Sequence, residues 1–414
     1  MMRPIPPLLA VAAAGLLTTC GDSLGPIESL PRELSVAEGK LVEADNRFAF
    51  KLFREINAQE GDKNIFISPL SVGMALGMTY NGAAGSTQVA MQEALELQDM
   101  SLQEVNEAYR SLIDLLRGLD PRVEFLLANS IWYRNTLSVR QEFVDLNRQF
   151  FDAEVTALDF NDVSAAETIN AWVTDKTSGR ITEIVKSPIQ PLTIMFLINA
   201  IYFKADWQSQ FDEDNTRPEP FRLEGGAEAI VDMMMQDEEI ELGMEFNDGV
   251  AVVDIPYGGG AYSMTIVLPP EYPEQEPLGA FAERLTQDDW DGWINSLSIG
   301  SSCLHLPKFR LEYEIGLKEV LSSLGMSIAF ERDSADFSKL HDDGGWTWIS
   351  SVKHKTFVEV NEEGTEAAAA TAVEIRNERA GPSCFVVDRP FLFAIREKHS
   401  GTILFMGKVM DPTG

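Results

Sequence analysis

Few residues in this chain are of the types that do chemistry, and their spacing does not assemble a reactive centre. Its four histidines are His305, His341, His354 and His399. None stands in an H-E-x-x-H run, and there is no G-x-S-x-G elbow, C-x-x-C pair, P-loop or dinucleotide fingerprint. A Ser/His/acid set assembles in space rather than in sequence, so a hydrolase is a competing reading. Nothing local points to one, and isolated histidines on apolar strands usually serve structure. Gly258-Gly259-Gly260 reads as a turn, because no strand-to-helix context follows to make it a phosphate cradle. The chain therefore reads as a non-enzyme, with no metal site and no cofactor. What stands out is a segment suited to having chemistry done to it, NEEGTEAAAATAVEIRNERAGPSC at 361–384. Its four consecutive alanines are good helix formers, yet the segment also alternates with period two. Thr365, Ala367, Ala369, Thr371, Val373 and Ile375 share one face; Glu366, Ala368, Ala370, Ala372, Glu374 and Arg376 share the other. That is the pattern of a half-buried strand. Asn377, Glu378, Arg379, Gly381 and Pro382 then break it into an exposed loop with the look of a cleavage site.

The elements that must carry such a segment are mixed. The first half is mainly helical: residues 41–57 put Leu41, Phe48, Leu52, Phe53 and Ile56 on one stripe. Ser68-Pro69 opens the next helix, and amphipathic helices fit 102–118 and 139–150. Ser164–Glu167 reads as a capping box. Residues 124–133 and 192–203 are long, apolar and strand-like, and 250–257 with 261–268 reads as a hairpin. Strands dominate thereafter. The pattern is α+β, in a single domain over 40–412.

Composition narrows the partners. The chain has 414 residues and a formal net charge of −32, which argues against a nucleic-acid binder. Residues 1–20 carry Arg3, an apolar run from Leu8 to Leu17, and Cys20. They read as a secretory leader, too short to span a membrane. Leu17-Thr18-Thr19-Cys20 resembles a bacterial lipoprotein box, with Thr19 where glycine or alanine is usual. The expectation is an exported protein, either a cell-envelope lipoprotein anchored at Cys20 or a freely secreted one, with residues 21–39 as a tether. Two further cysteines, Cys303 and Cys384, are either a disulfide or two buried thiols.

Five stretches together resemble the serpins. They are NIFISPLSVGMALGMTYNGAAGST (64–87), LINAIYFKADW (197–207), LPKFRLEYEIGLKEVLSSLGM (306–326), HKTFVEVNEEGTEAAAAT (354–371) and DRPFLFAIREKHSGTILFMGKVMDP (388–412). They follow the family's order across nearly all of 40–412, and the chain is identified as a bacterial exported serpin. The resemblance implies three β-sheets, about nine helices and an exposed reactive-centre loop at about 362–384. It also implies a monomer that inhibits serine-type, and also cysteine-type, endopeptidases as a suicide substrate. The protease is acylated on cleaving the loop, and the loop's first part then inserts into the main sheet.

The resemblance assigns residues to this cycle. The hinge is Glu362, Gly364, Thr365, Glu366, Ala367, Ala368, Ala369, Ala370 and Thr371, where small side chains have little bulk to push between strands and little entropy to lose; Gly364 is expected to let the backbone turn. The reactive bond is Glu378–Arg379, or Arg379–Ala380 if the loop is one residue longer; Arg376 would shorten the inserting strand. Cleavage after glutamate suits a glutamate-specific protease, and cleavage after arginine a trypsin-like one. Ser68, Ser71, Asn199 and His354 match the shutter beneath the sheet, and Trp207 the breach where insertion begins. Ala205 replaces a glycine common there, with a stiffer turn expected. Cys303 and Cys384 are expected on adjacent strands, hence a disulfide. The competing use of the fold is a non-inhibitory binder or chaperone whose loop is merely cut.

Overall fold

The computed structural model describes residues 25–247, 249–270, 276–342, 347–365 and 384–413. The chain opens with α1 (Val36–Gln59), β1 (Ile65–Ile67), α2 (Pro69–Tyr80), α3 (Gly85–Ala94) and α4 (Leu102–Leu116). Then come β2 (Val123–Arg134), α5 (Gln141–Phe151), β3 (Glu154–Leu158), α6 (Ser164–Lys176) and β4 (Met195–Asp206). Sheet dominates next, in β5 (Arg217–Arg222), β6 (Glu228–Asn247), β7 (Val250–Tyr257) and β8 (Tyr262–Leu268). After α7 (Leu278–Arg284) and α8 (Gln287–Ser296) follow β9 (Ser298–Pro307), β10 (Phe309–Gly316) and the short α9 (Lys318–Leu321). The chain closes on β11 (Lys353–Val360), β12 (Gly364–Thr365), β13 (Phe385–Val386), β14 (Phe391–Glu397) and β15 (Ile403–Val409).

Local chemistry sets the helix starts. Ser35 and Glu38 form a reciprocal capping box ahead of α1, and Ser101 and Glu104 do the same for α4. Ser68 caps α2 with Pro69 in its first turn. The box expected at Ser164 does not form: Ser164 is already helical, and its amide bonds the Asp162 side chain at 3.0 Å. Part of the span expected as a tether belongs to the folded body: the Ser35 cap begins helix at Val36, and Ile27 N–H donates to Gly259 O.

A six-stranded sheet runs β10-β11-β12-β4-β2-β3. A second, nine-stranded network runs β1-β15-β14-β8-β7-β6-β9-β13, with β5 on β6. The second and third sheets of the expected architecture are joined in that network, because the twenty-residue β6 pairs β5 at its start and β7 at its end, with β9 beside it from Met233 to Met244. Its register shifts between Gln236 and Ile240, where the sheet bends. The two sheets and α1, α2 and α4 enclose one main core, in which Phe66 stacks between Phe393 and Phe405 at 5.7 and 5.2 Å. A smaller cluster under α6 holds Trp132, Phe160, Ile169 and Ile198.

Candidate functional site

Among the described residues, the middle of the six-stranded sheet is incomplete. β4 is paired on one side with β2 from Met195 to Ala205, and β11 on one side with β10 from Lys353 to Val360. Between them lies only the two-residue β12: Thr365 pairs Val360 and Ala205, and Gly364 pairs Asp206. Below Thr365, among the described residues, no ladder joins β4 to β11. A narrow cleft with room for about 20 Å³ lies along that seam, lined by Ile201, Phe203, Phe357, Val358, Thr365 and Phe405 among others. Among the described residues, then, β4 and β11 are bridged at one end by β12 and by nothing further along.

The entrance is built around Trp207. Its indole N–H donates to Asn361 O at 2.9 Å and its amide to Glu363 O at 2.7 Å. The ring stacks on Tyr257 with centroids 4.4 Å apart, and Tyr257 Oη shares a 2.6 Å hydrogen bond with Thr365 Oγ1. Glu362 is buried. Burial pushes its carboxyl up, but Lys308, at 3.1 and 2.9 Å from its two oxygens, and Thr216 outweigh that and hold it below the usual range. Gly364 serves a different end from the turn expected of it. A Cβ there would lie 2.0 Å from Ala205 O, so glycine is required for close approach to β4. Ala205 stiffens no turn, since it lies within β4, paired with Val123 and Thr365.

The residues expected to form the shutter meet beneath the seam. Ser68 N–H donates to His354 Nε2 at 2.9 Å, and Ser68 Oγ donates to Leu404 O at 2.8 Å. Ser68 Oγ also accepts from Ser71 N–H at 3.3 Å, and Ser71 Oγ lies 3.5 Å from Asn199 O. Burial pushes the His354 imidazole down to about 4, so at neutral pH it is uncharged, with its proton on Nδ1 and Nε2 free to accept. Asn199 Nδ2 donates to Asn129 Oδ1 at 2.8 Å, and Asn129 donates on to Phe151 O at 2.7 Å.

Cys303 on β9 and Cys384 just before β13 form a disulfide, with Cα atoms 4.5 Å apart. The bond fastens an edge strand that is only two residues long and parallel to β9. Cys20, the hinge residues Glu366, Ala367, Ala368, Ala369, Ala370 and Thr371, and the bond residues Glu378, Arg379 and Ala380 lie outside the described residues. Sequence reasoning missed Tyr257, Asn361, Lys308, Thr216 and Asn129. Only Asn361 and Lys308 fell inside the quoted motifs, and neither carried a chemical signal of its own.

The molecule is thus an α+β protein whose six-stranded sheet carries a short strand, β12, held between β4 and β11 beside Trp207. The chain belongs to the serpin family: a family model described as "Serpin (serine protease inhibitor)" matches residues 43–412. It is similar to Serpin B8 of Homo sapiens, 35% identical over 90% of this chain and 99% of that one. It is also similar to neuroserpin of Gallus gallus, 36% identical over 87% and 89%. Among solved structures, the native state of the thermophilic serpin tengpin superposes with a TM-score of 0.80, at 31% identity, over 94% of this chain and 97% of that one. Thyroxine-binding globulin in complex with thyroxine gives 0.81, at 30% identity, over 91% and 100%.

Proposed function

We propose that this protein is a suicide-substrate inhibitor of serine endopeptidases, and of cysteine endopeptidases that accept the same loop. The observation that carries the reading is the seam: Thr365 is paired with both β4 and β11, Gly364 with β4, and among the described residues no ladder joins the two strands beneath them. The protease nucleophile attacks the carbonyl carbon of Glu378, or of Arg379, and the peptide C–N bond breaks. The new amine leaves on the C-terminal segment, and an acyl-enzyme remains, an ester with a serine protease and a thioester with a cysteine protease. The residues after Thr365 then follow it into the seam, carrying the acylated protease along. Twelve residues make a strand of about 40 Å, and side chains such as Val373 and Ile375 are buried at about 25 cal/mol per Å². Ala367 to Ala370 pass between the strands with almost no side-chain entropy lost.

The target on this reading is a glutamate-specific or trypsin-like serine protease, and the inhibitor works as a monomer outside the cytoplasm. The Cys303–Cys384 disulfide supports export, since such bonds persist in oxidising compartments. Attachment through Cys20 predicts incorporation of labelled fatty acid that C20A abolishes. A second reading has its own support, because thyroxine-binding globulin shows this fold in complex with a small ligand; a non-inhibitory binder would have its loop cut without trapping anything.

The deciding experiment mixes the purified protein with trypsin, subtilisin, elastase, a glutamyl endopeptidase and papain. Denaturing, reducing gels and mass spectrometry follow. A covalent inhibitor–protease band is expected, together with a C-terminal peptide beginning at Arg379 or Ala380. Cleaved protein beside fully active protease, for every enzyme that cuts the loop, would sink the inhibitor reading in favour of the binder.

A further inference from the structure

The segment before α1 is tied down at several points. Ile27 N–H donates to Gly259 O at 2.7 Å, and Ile27 O lies 3.1 Å from His399 Nε2. Gly25 O accepts from Arg122 Nη2 at 3.2 Å. At the other end Arg32 bonds Glu38 and Ser111 at 2.9 and 2.8 Å, and the Ile27 side chain packs on the main core. The partners of Gly25 and Ile27 belong to different parts of the molecule. Gly259 lies in the β7–β8 turn and His399 in the β14–β15 turn, both in the nine-stranded network. Arg122 is the residue before β2, in the other sheet. Buried Asp120 joins the same two parts, accepting from Gly259 N–H at 2.6 Å and from Arg122 N–H at 3.0 Å. A Cβ on Gly259 would fall 1.7 Å from Arg122 Nη2, so the guanidinium lies directly on the turn.

This junction sits where the sheet must give. Below Thr365 no ladder among the described residues ties β4 to β11, and β2 and β3, hydrogen-bonded beyond β4, move with it whenever the space between β4 and β11 changes width. The root of β2 is then pulled against Gly259 and Gly25. The same turn bonds the end of β4 through Gly258 N–H to Asp206 O at 2.9 Å. Just ahead of it, Tyr257 holds Trp207 and Thr365. We propose that Gly25–Arg32 is a strap that clamps the moving half of the six-stranded sheet to the β7–β8 turn, and so sets how readily the seam opens. It rests on the inhibitor reading only for its purpose, restraint of insertion before cleavage.

The test is hydrogen–deuterium exchange, without any protease, on the full chain, on the variants I27P and H399A, and on a chain beginning at Pro31. I27P removes the donor to Gly259, and H399A removes the contact to Ile27 O. Loss of one such bond should speed exchange along β4 and β11 by about fivefold, and loss of Gly25 to Leu30 with all their contacts by more. Exchange in β14 and β15 should stay unchanged, which separates local release from general unfolding. Exchange in β4 and β11 equal to the parent's in every variant, with the N-terminal segment itself released, would overturn the strap. A strap that loosens the seam when removed, in a protein that traps no protease, would leave this inference standing while the inhibitor reading fell.

Discussion

His354 can accept the Ser68 amide only while its imidazole is neutral, and burial keeps it so down to about pH 4. In the unfolded chain the same group takes a proton near pH 6.5. Between those values the unfolded state binds more protons, so this group's contribution is intact above about pH 6.5 and is lost as pH falls toward 4. About 2 kcal/mol is lost between pH 7 and pH 5. Asp45 pulls the other way. It is buried under α4, and burial pushes its carboxyl up to about 7, against the Tyr109 hydroxyl that donates to it at 2.8 Å and pulls it down. Its folded form keeps a proton that the unfolded form gives up, so stability falls as pH rises from about 4 to 7. The two slopes oppose each other. Urea unfolding at pH 5 and pH 7 should therefore show H354N losing stability toward pH 7 more steeply than the parent. D45N keeps the Tyr109 bond without the charge, and should gain about 4 kcal/mol at pH 8. Equal slopes in H354N and the parent would mean that His354 titrates normally.

At the scale of elements, the short β12 controls what the long strands flanking it can do. Gly364 fits against Ala205 O only because it lacks a side chain. G364A should displace the hinge, break the Trp207 contacts to Asn361 and Glu363, and delay insertion until deacylation wins. Titration against trypsin should then show the cleaved product rising severalfold at the expense of the covalent complex, while the rate of loop cleavage stays near the parent's. Unchanged partitioning would show that the close approach at β4 does not matter to the trap. The legibility of these elements varied for physical reasons. β2 and β4 were readable because both are long apolar runs, and β7 with β8 because three glycines separate them. The β5–β6 hairpin was not, since β6 carries Asp232, Asp237, Glu238, Glu239 and Glu241 on its exposed positions, residues poorly suited to strands. The shutter and Trp207 were found through resemblance. Tyr257 and Lys308 join the entrance only because folding brings separate strands together, which no spacing rule announces.

For the whole molecule, charge and topology have separate consequences. A net charge of −32 on the chain favours encounter with a cationic protease. The association rate should fall about tenfold between 10 and 150 mM salt, and a salt-independent rate would exclude steering. Topology bears on what remains after the encounter. Cys384 lies on the C-terminal side of both candidate bonds, and its disulfide partner Cys303 lies far on the N-terminal side. Cutting at either bond therefore never makes two molecules, because residues 379–414 or 380–414 stay covalently attached through Cys384. On a gel run without reductant, nicked and intact protein share one mass, and the cut shows only when the sulfurs are parted. Any tally of surviving chains made under oxidising conditions would count spent inhibitor as fresh.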